Sequence, residues 1–309
     1  MIKSYRNGYL KVDDIHSIYF ECYGVPQGKT VFIFHGGPGY GCDIEMLEPF
    51  DLNKWNVVMF DQRGCGRSTP KGCIKSNCTD LLIEDVKKLA IFLGINRFAI
   101  KGESWGTTLG LLFAEKYPEF VSSMILTGVF LGNNEGTLLG KNGGFDKIYP
   151  ELWDDYLKLL PINKRSKPYD AYYDYIINGT ADEQYKYARE LIFLELLMEL
   201  PTLDFKRADT LCDELDVRNI AKIEVYYTMN DFFVLPNQII ANISKLSNIP
   251  VSIVQGRYDL ITPIYSAWTL SKHLKNSYFH VLEFGGHSDI FKDTSEMLKS
   301  VANRHLQFM

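Results

Sequence analysis

The chain has 309 residues, 46% hydrophobic and 23% charged, with 33 Lys and Arg against 38 Asp and Glu for a net charge of −5. A globular chain of this length can bury roughly 75% of its unfolded surface, so it needs no disulfide or metal staple. The mild acidity and absence of a Lys/Arg run argue against a nucleic-acid partner, and no apolar run approaches the ~20 residues that cross a bilayer.

Lys3, Arg6 and Asn7 interrupt Met1 to Leu10 where a secretion signal would need an unbroken apolar core, so a cytoplasmic location is expected. Cys22, Cys42, Cys65, Cys73, Cys78 and Cys212 lack paired zinc-ligand spacing. Reduced thiols are expected in preference to a disulfide between Cys73 and Cys78.

In chain order, Tyr9 to Val12 and Ser17 to Tyr23 read as strands joined at Asp13-Asp14, an antiparallel hairpin at a sheet edge. Val31 to Phe34, Val57 to Phe60, Phe98 to Ile100 and Met124 to Leu126 are short apolar runs without alternation, as in parallel strands covered on both faces. Helical spacing follows over Asp80 to Leu93 and Thr107 to Tyr117. Strand and helix alternate, which gives an α/β class with a mostly parallel central sheet.

From Leu131 to Lys245 that rhythm is lost. Glu151 to Leu160 and Tyr185 to Leu200 carry helical periodicity, so the segment is expected to be an inserted helical cap. Alternation resumes with a strand at Val251 to Val254, a helix near Pro263 to Leu274, a strand at Tyr278 to Leu282 and a closing helix from Asp289. The expected division is a core over 1–130, a cap over 131–245 and the rest of the core over 246–309.

Gly102-Glu103-Ser104-Trp105-Gly106 lies between a predicted strand and a predicted helix. Small residues on both sides of the serine permit the sharp turn that exposes its hydroxyl. A serine hydroxyl needs a base and a group that orients the base. Asp259 and His287 follow two late strands at the sheet edge where open α/β folds place their sites, and the order Ser104, Asp259, His287 is that of the α/β-hydrolases. His16, His273, His280 and His305 lie in terminal or regular elements and read as surface or structural histidines. His35-Gly36-Gly37-Pro38-Gly39 has three positions without side chains, so backbone amides can approach an oxyanion. The amides of Gly37 and Trp105 are the expected donors, with His35 shaping the loop.

These residues, together with Asp61-Gln62-Arg63-Gly64-Cys65-Gly66-Arg67-Ser68, Leu126-Thr127-Gly128-Val129-Phe130, Gly256-Arg257-Tyr258-Asp259 and Gly285-Gly286-His287-Ser288, resemble the proline iminopeptidases nearly end to end. The resemblance implies an α/β-hydrolase fold, an exopeptidase triad, a helical cap, a small peptide or aminoacyl substrate, and no metal or organic cofactor. It also implies that cap carboxylates hold the substrate's free amine, and the matching segments point to Glu195 and Glu224. Helical geometry puts Glu195 on the side of Ala188 and Met198, where a carboxylate needs a partner: a substrate ammonium, or an Arg or Lys of the chain. Glu224 reads either as part of that amine site or as a solvated helix charge.

Phe130 matches an aromatic of the family's substrate pocket. Four features depart from the family pattern: Glu103 stands for a glycine, Thr127 for an arginine, Thr228 for a phenylalanine, and the aromatics usual near Leu138 to Gly143 are missing. Glu103 is expected either to add a preference for cationic substrates or to make a structural hydrogen bond. The same triad would also serve an esterase, lactonase, amidase or acyl transferase.

Overall fold

The computed structural model describes residues 2–132, 144–200, 202–288 and 292–308. The segment Leu138 to Gly143 and the expected helix start at Asp289 lie outside them. Eight strands form one sheet: β1 (Arg6–Lys11), β2 (Ser17–Gly24), β3 (Lys29–Phe34), β4 (Trp55–Phe60), β5 (Phe98–Glu103), β6 (Val121–Thr127), β7 (Val251–Gly256) and β8 (Ser277–Leu282). Their spatial order is β1-β2-β4-β3-β5-β6-β7-β8. β1 pairs antiparallel with β2 and β2 antiparallel with β4, while every later pairing is parallel. Every residue of β4 and β6 is buried, which is why their sequences show no alternation.

The hairpin closes because Asp13 Oδ1 accepts from the amides of Ile15 and His16, so the turn supplies its own backbone partners. The first strand runs over Arg6–Lys11, earlier than its apolar residues imply, because its edge position leaves most of its side chains in solvent.

Eleven helices are described: α1 (Thr79–Leu93), α2 (Trp105–Lys116), α3 (Phe145–Ile148), α4 (Pro150–Lys158), α5 (Pro168–Asn178), α6 (Ala181–Met198), α7 (Phe205–Glu214), α8 (Val217–Met229), α9 (Gln238–Ala241), α10 (Ile264–His273) and α11 (Lys292–His305). Periodicity over Tyr185 to Leu200 locates α6 but misses its first turn. A capping box sets that start: Thr180 accepts from the Glu183 amide, and the Glu183 carboxylate accepts from the Thr180 amide.

Helices α4 to α8, which lie between β6 and β7 in the chain, share a core that includes Tyr156, Tyr172, Ile192 and Ala221. The end of α8 joins the main core through Ile223 and Tyr227. All six cysteines are free thiols. No helix of the described residues is long and apolar enough to cross a membrane.

Candidate active site

β5 ends in a sharp turn at Ser104, with φ 53° and ψ −124°, and α2 starts at the next residue, two earlier than Thr107. A Cβ at position 106 would overlap the Phe34 carbonyl, so the elbow requires glycine there. The Ser104 amide donates to the Thr127 carbonyl at 3.0 Å, and its hydroxyl makes no helix-capping bond. The turn is thus fixed through its backbone and not through the hydroxyl.

His287 Nδ1 lies 2.9 Å from Asp259 Oδ2 and 3.0 Å from Oδ1. Asp259 is held in turn. Its Oδ1 accepts from the amides of Ile261 and Thr262, and its Oδ2 accepts from Gln255 Nε2 and Thr262 Oγ1. The glycine at 128, with φ 57°, leaves room for the imidazole, since a Cβ there would lie 2.8 Å from His287 Cε1. Burial alone would lower the pKa of His287, but the Asp259 carboxylate, with Glu103 and Glu199 further off, pushes it up to about 9.

Ser104 and His287 line one cavity of about 530 Å³, together with Gly36, Gly37, Glu103, Glu195 and Glu199. A smaller lobe of about 90 Å³ also reaches Ser104 and Gly37, and is walled by Phe130, Tyr156, Tyr172, Glu195, Glu224 and Thr228 among others. The loop after β3 packs tightly against the nucleophile: a Cβ at Gly36 would lie 3.2 Å from Ser104 Cβ. Trp105 is the first residue of α2, so its amide has no acceptor within the helix.

Gln62 ties these parts together. Its side chain accepts from Trp105 Nε1 at 2.8 Å and donates to the His35 carbonyl at 3.0 Å, while its amide donates to His35 Nε2 at 3.0 Å. That bond leaves the His35 proton on Nδ1, which donates to Gly36 O at 2.9 Å. Burial lowers the pKa of His35, so the ring is neutral and structural.

Glu195 and Glu224 meet as a hydrogen-bonded carboxyl pair, so Glu224 is not a solvated helix charge. Burial and the charge of Glu224 drive Glu195 well above the usual carboxylate range, and burial raises Glu224. The buried Oε2 of Glu224 has no hydrogen-bond partner. Two buried carboxyls this close favour a form in which the pair keeps a proton. The neighbour that Glu195 finds is therefore another acid rather than an Arg or Lys.

Glu103 borders the larger cavity, with its Oε2 3.8 Å from Lys101 Nζ. Lys101 also donates to Thr127 Oγ1 at 2.6 Å, which places a buried lysine of the neighbouring strand against the threonine. Among the described residues, no three His, Cys, Asp or Glu side chains gather as a metal cluster.

Several supports were not singled out in the sequence: Gln62, Gln255, Thr262, Gly128 and the carbonyl of Glu199. Asp259-Leu260-Ile261-Thr262 has the spacing of an aspartate that accepts from backbone two and three residues on, which is a readable signal. Gln255 acts only four residues from Asp259, whereas Gln62, Gly128 and the Glu199 carbonyl act across long chain separations and leave no local pattern.

A family model described as the alpha/beta hydrolase fold matches residues 29–294. A probable proline iminopeptidase of Leptolyngbya boryana is 37% identical over 292 residues, covering 93% of this chain and 90% of that protein. The proline iminopeptidase of Neisseria gonorrhoeae is 36% identical, with 91% and 90% covered. Among solved structures, the proline iminopeptidase of Mycobacterium smegmatis superposes with a TM-score of 0.63 at 19% identity, covering 98% of both chains. A lipase of Acinetobacter baumannii superposes with a TM-score of 0.66 at 17% identity, covering 98% of this chain and 91% of the other, a likeness of fold.

Proposed function

Because the chain belongs to the proline iminopeptidase family of α/β-hydrolases, we propose that it releases an N-terminal proline or small apolar residue from short peptides through an acyl-enzyme on Ser104. The observation that carries this reading is the opening of Ser104, the Asp259-bound His287 and the Glu195–Glu224 pair onto shared space.

The substrate's ammonium pairs with Glu195 and Glu224 beneath the helical cap, and the proton held between them passes to solvent water. This fixes the N-terminal residue in the smaller lobe, beside Phe130. His287 takes the proton of Ser104 as the hydroxyl attacks the carbonyl carbon, and Asp259 holds the imidazole in its tautomer. The amides of Gly37 and Trp105 donate to the oxyanion, where one such donor is worth about 10²–10³ in rate. The tetrahedral intermediate collapses as His287 protonates the leaving amine. Water, deprotonated by the same imidazole, then releases the amino acid from the ester.

The test compares an aminoacyl arylamide with the same compound acetylated at its amine. The reading predicts that acetylation abolishes most of kcat/KM. Equal turnover of the two would move the enzyme to the esterases, amidases or acyl transferases that share this machinery.

A further inference from the structure

Asp231, Phe232 and Phe233 are three consecutive non-glycine residues with φ of 48°, 53° and 53°. Left-handed backbone presses Cβ against the carbonyl, so such residues ordinarily occur singly. The turn is closed by Phe233 N donating to Asn230 O at 2.9 Å and Val234 N to Asp231 O at 3.0 Å. Thr79 Oγ1 adds a bond to the Phe232 carbonyl at 2.5 Å. Strain persists where surrounding contacts over-determine it, and it concentrates at functional sites.

Here the contacts converge on one ring. Phe232 is 6% exposed, stacks on Trp105 with centroids 5.8 Å apart, and meets Phe130 edge to face at 4.7 Å. Its ring thus backs both the residue that follows the nucleophile and the smaller lobe, of which it is a wall. At about 90 Å³ that lobe is far below the roughly 300–1,000 Å³ of ordinary ligand pockets. A right-handed residue at 232 would send its side chain in another direction. Glycine there would relieve the backbone and free the space that the ring fills.

We propose that Phe232, aimed by this left-handed turn, is the specificity-determining residue that limits the acyl side chain to the size of proline or less. The inference rests on the aminopeptidase reading and names the substrate class of its acyl site. An N-terminal proline or alanine would sit beside Phe130 and Tyr172, whereas a benzyl side chain would need the space that the Phe232 ring fills.

The experiment measures kcat/KM of the wild type, Phe232→Gly and Phe232→Leu on proline, alanine and phenylalanine arylamides, with a thermal melt of each protein. The phenylalanine-to-proline ratio is expected to rise by about tenfold or more in Phe232→Gly, the scale on which a hydrophobic pocket discriminates size. It should rise in the same direction in Phe232→Leu. Because the ratio is taken within one protein, it is independent of the fraction folded. If Phe232→Gly does not fold, Phe232→Leu decides by the same criterion. An unchanged ratio in an active variant overturns the proposal. A wild type inactive on every free-amine arylamide rejects the aminopeptidase reading instead, and the size comparison then passes to acetyl and phenylacetyl esters, judged by the same rise.

Discussion

The backbone carbonyl of Glu199, the C-cap residue of α6, accepts the amide of His287 at 2.8 Å and that of Ser288 at 3.1 Å. The Glu199 amide in turn bonds to the Glu195 carbonyl at 3.1 Å. The last turn of a helix has carbonyls without internal partners, and here one is used by the loop of the proposed base. The helix that carries the proposed amine-binding carboxyl is thereby anchored to the backbone of the residue that bears the imidazole.

This anchoring directs negative charge at His287. The end of α6, Asp259, Glu103 and Glu199 all favour the imidazolium, and Glu195 faces the same cavity. A base works only when deprotonated, so a raised pKa displaces activity to higher pH. The rate of Ser104 modification by a fluorophosphonate, which carries no amine of its own to titrate, should rise with pH with a midpoint near about 9. Glu103→Gln and Glu199→Gln each remove a negative charge and should shift the curve toward lower pH. A midpoint near the ordinary imidazole value in the wild type contradicts this account.

Gly128→Ala tests the room left beside the imidazole. The new Cβ would meet His287 Cε1 at 2.8 Å and Nδ1 at 3.1 Å, on a backbone with φ 57°. The left-handed conformation alone costs about 1–2 kcal/mol, and displacement of the ring should reduce kcat by at least about 10², the scale of a misplaced reacting group. Denaturant titration and steady-state kinetics read the two effects separately.

Replacing Glu195 or Glu224 by Gln should raise KM for free-amine substrates and leave amine-blocked substrates unaffected. Since the two carboxyls form one unit, the double variant should lose less than the product of the single losses. Additive losses would mean that they act separately.

Arg63 offers a stability test away from the chemistry. Its guanidinium is 1% exposed, with Nη2 2.8 Å from Asp85 Oδ1, and it also bonds Asp13 in the hairpin turn. Arg63→Met leaves the Asp85 carboxylate buried without its charge partner, which should cost about 3–5 kcal/mol. Arg63→Met with Asp85→Leu should recover most of that loss, as read by urea denaturation.

The parallel strands were legible because residues buried on both faces must be apolar, as in β3 and β4. The placing of Ser104, Asp259 and His287 after strand ends was legible because glycines there mark where side chains can emerge. The pairing of Glu195 with Glu224 was not, because two helices bring the carboxyls together over a long chain separation and periodicity reports only the face of each. Phe232 escaped for another reason. Nothing in Asn230-Asp231-Phe232-Phe233 signals a left-handed turn, which is held by distant Thr79, Trp105 and Phe130.

The most direct measurement is intact-mass and peptide mapping after reaction with a fluorophosphonate. The account predicts one adduct, on Ser104, absent in Ser104→Ala and slowed by about 10³ or more in His287→Ala and Asp259→Asn. Labelling at another residue, or an unslowed rate in His287→Ala, would contradict it.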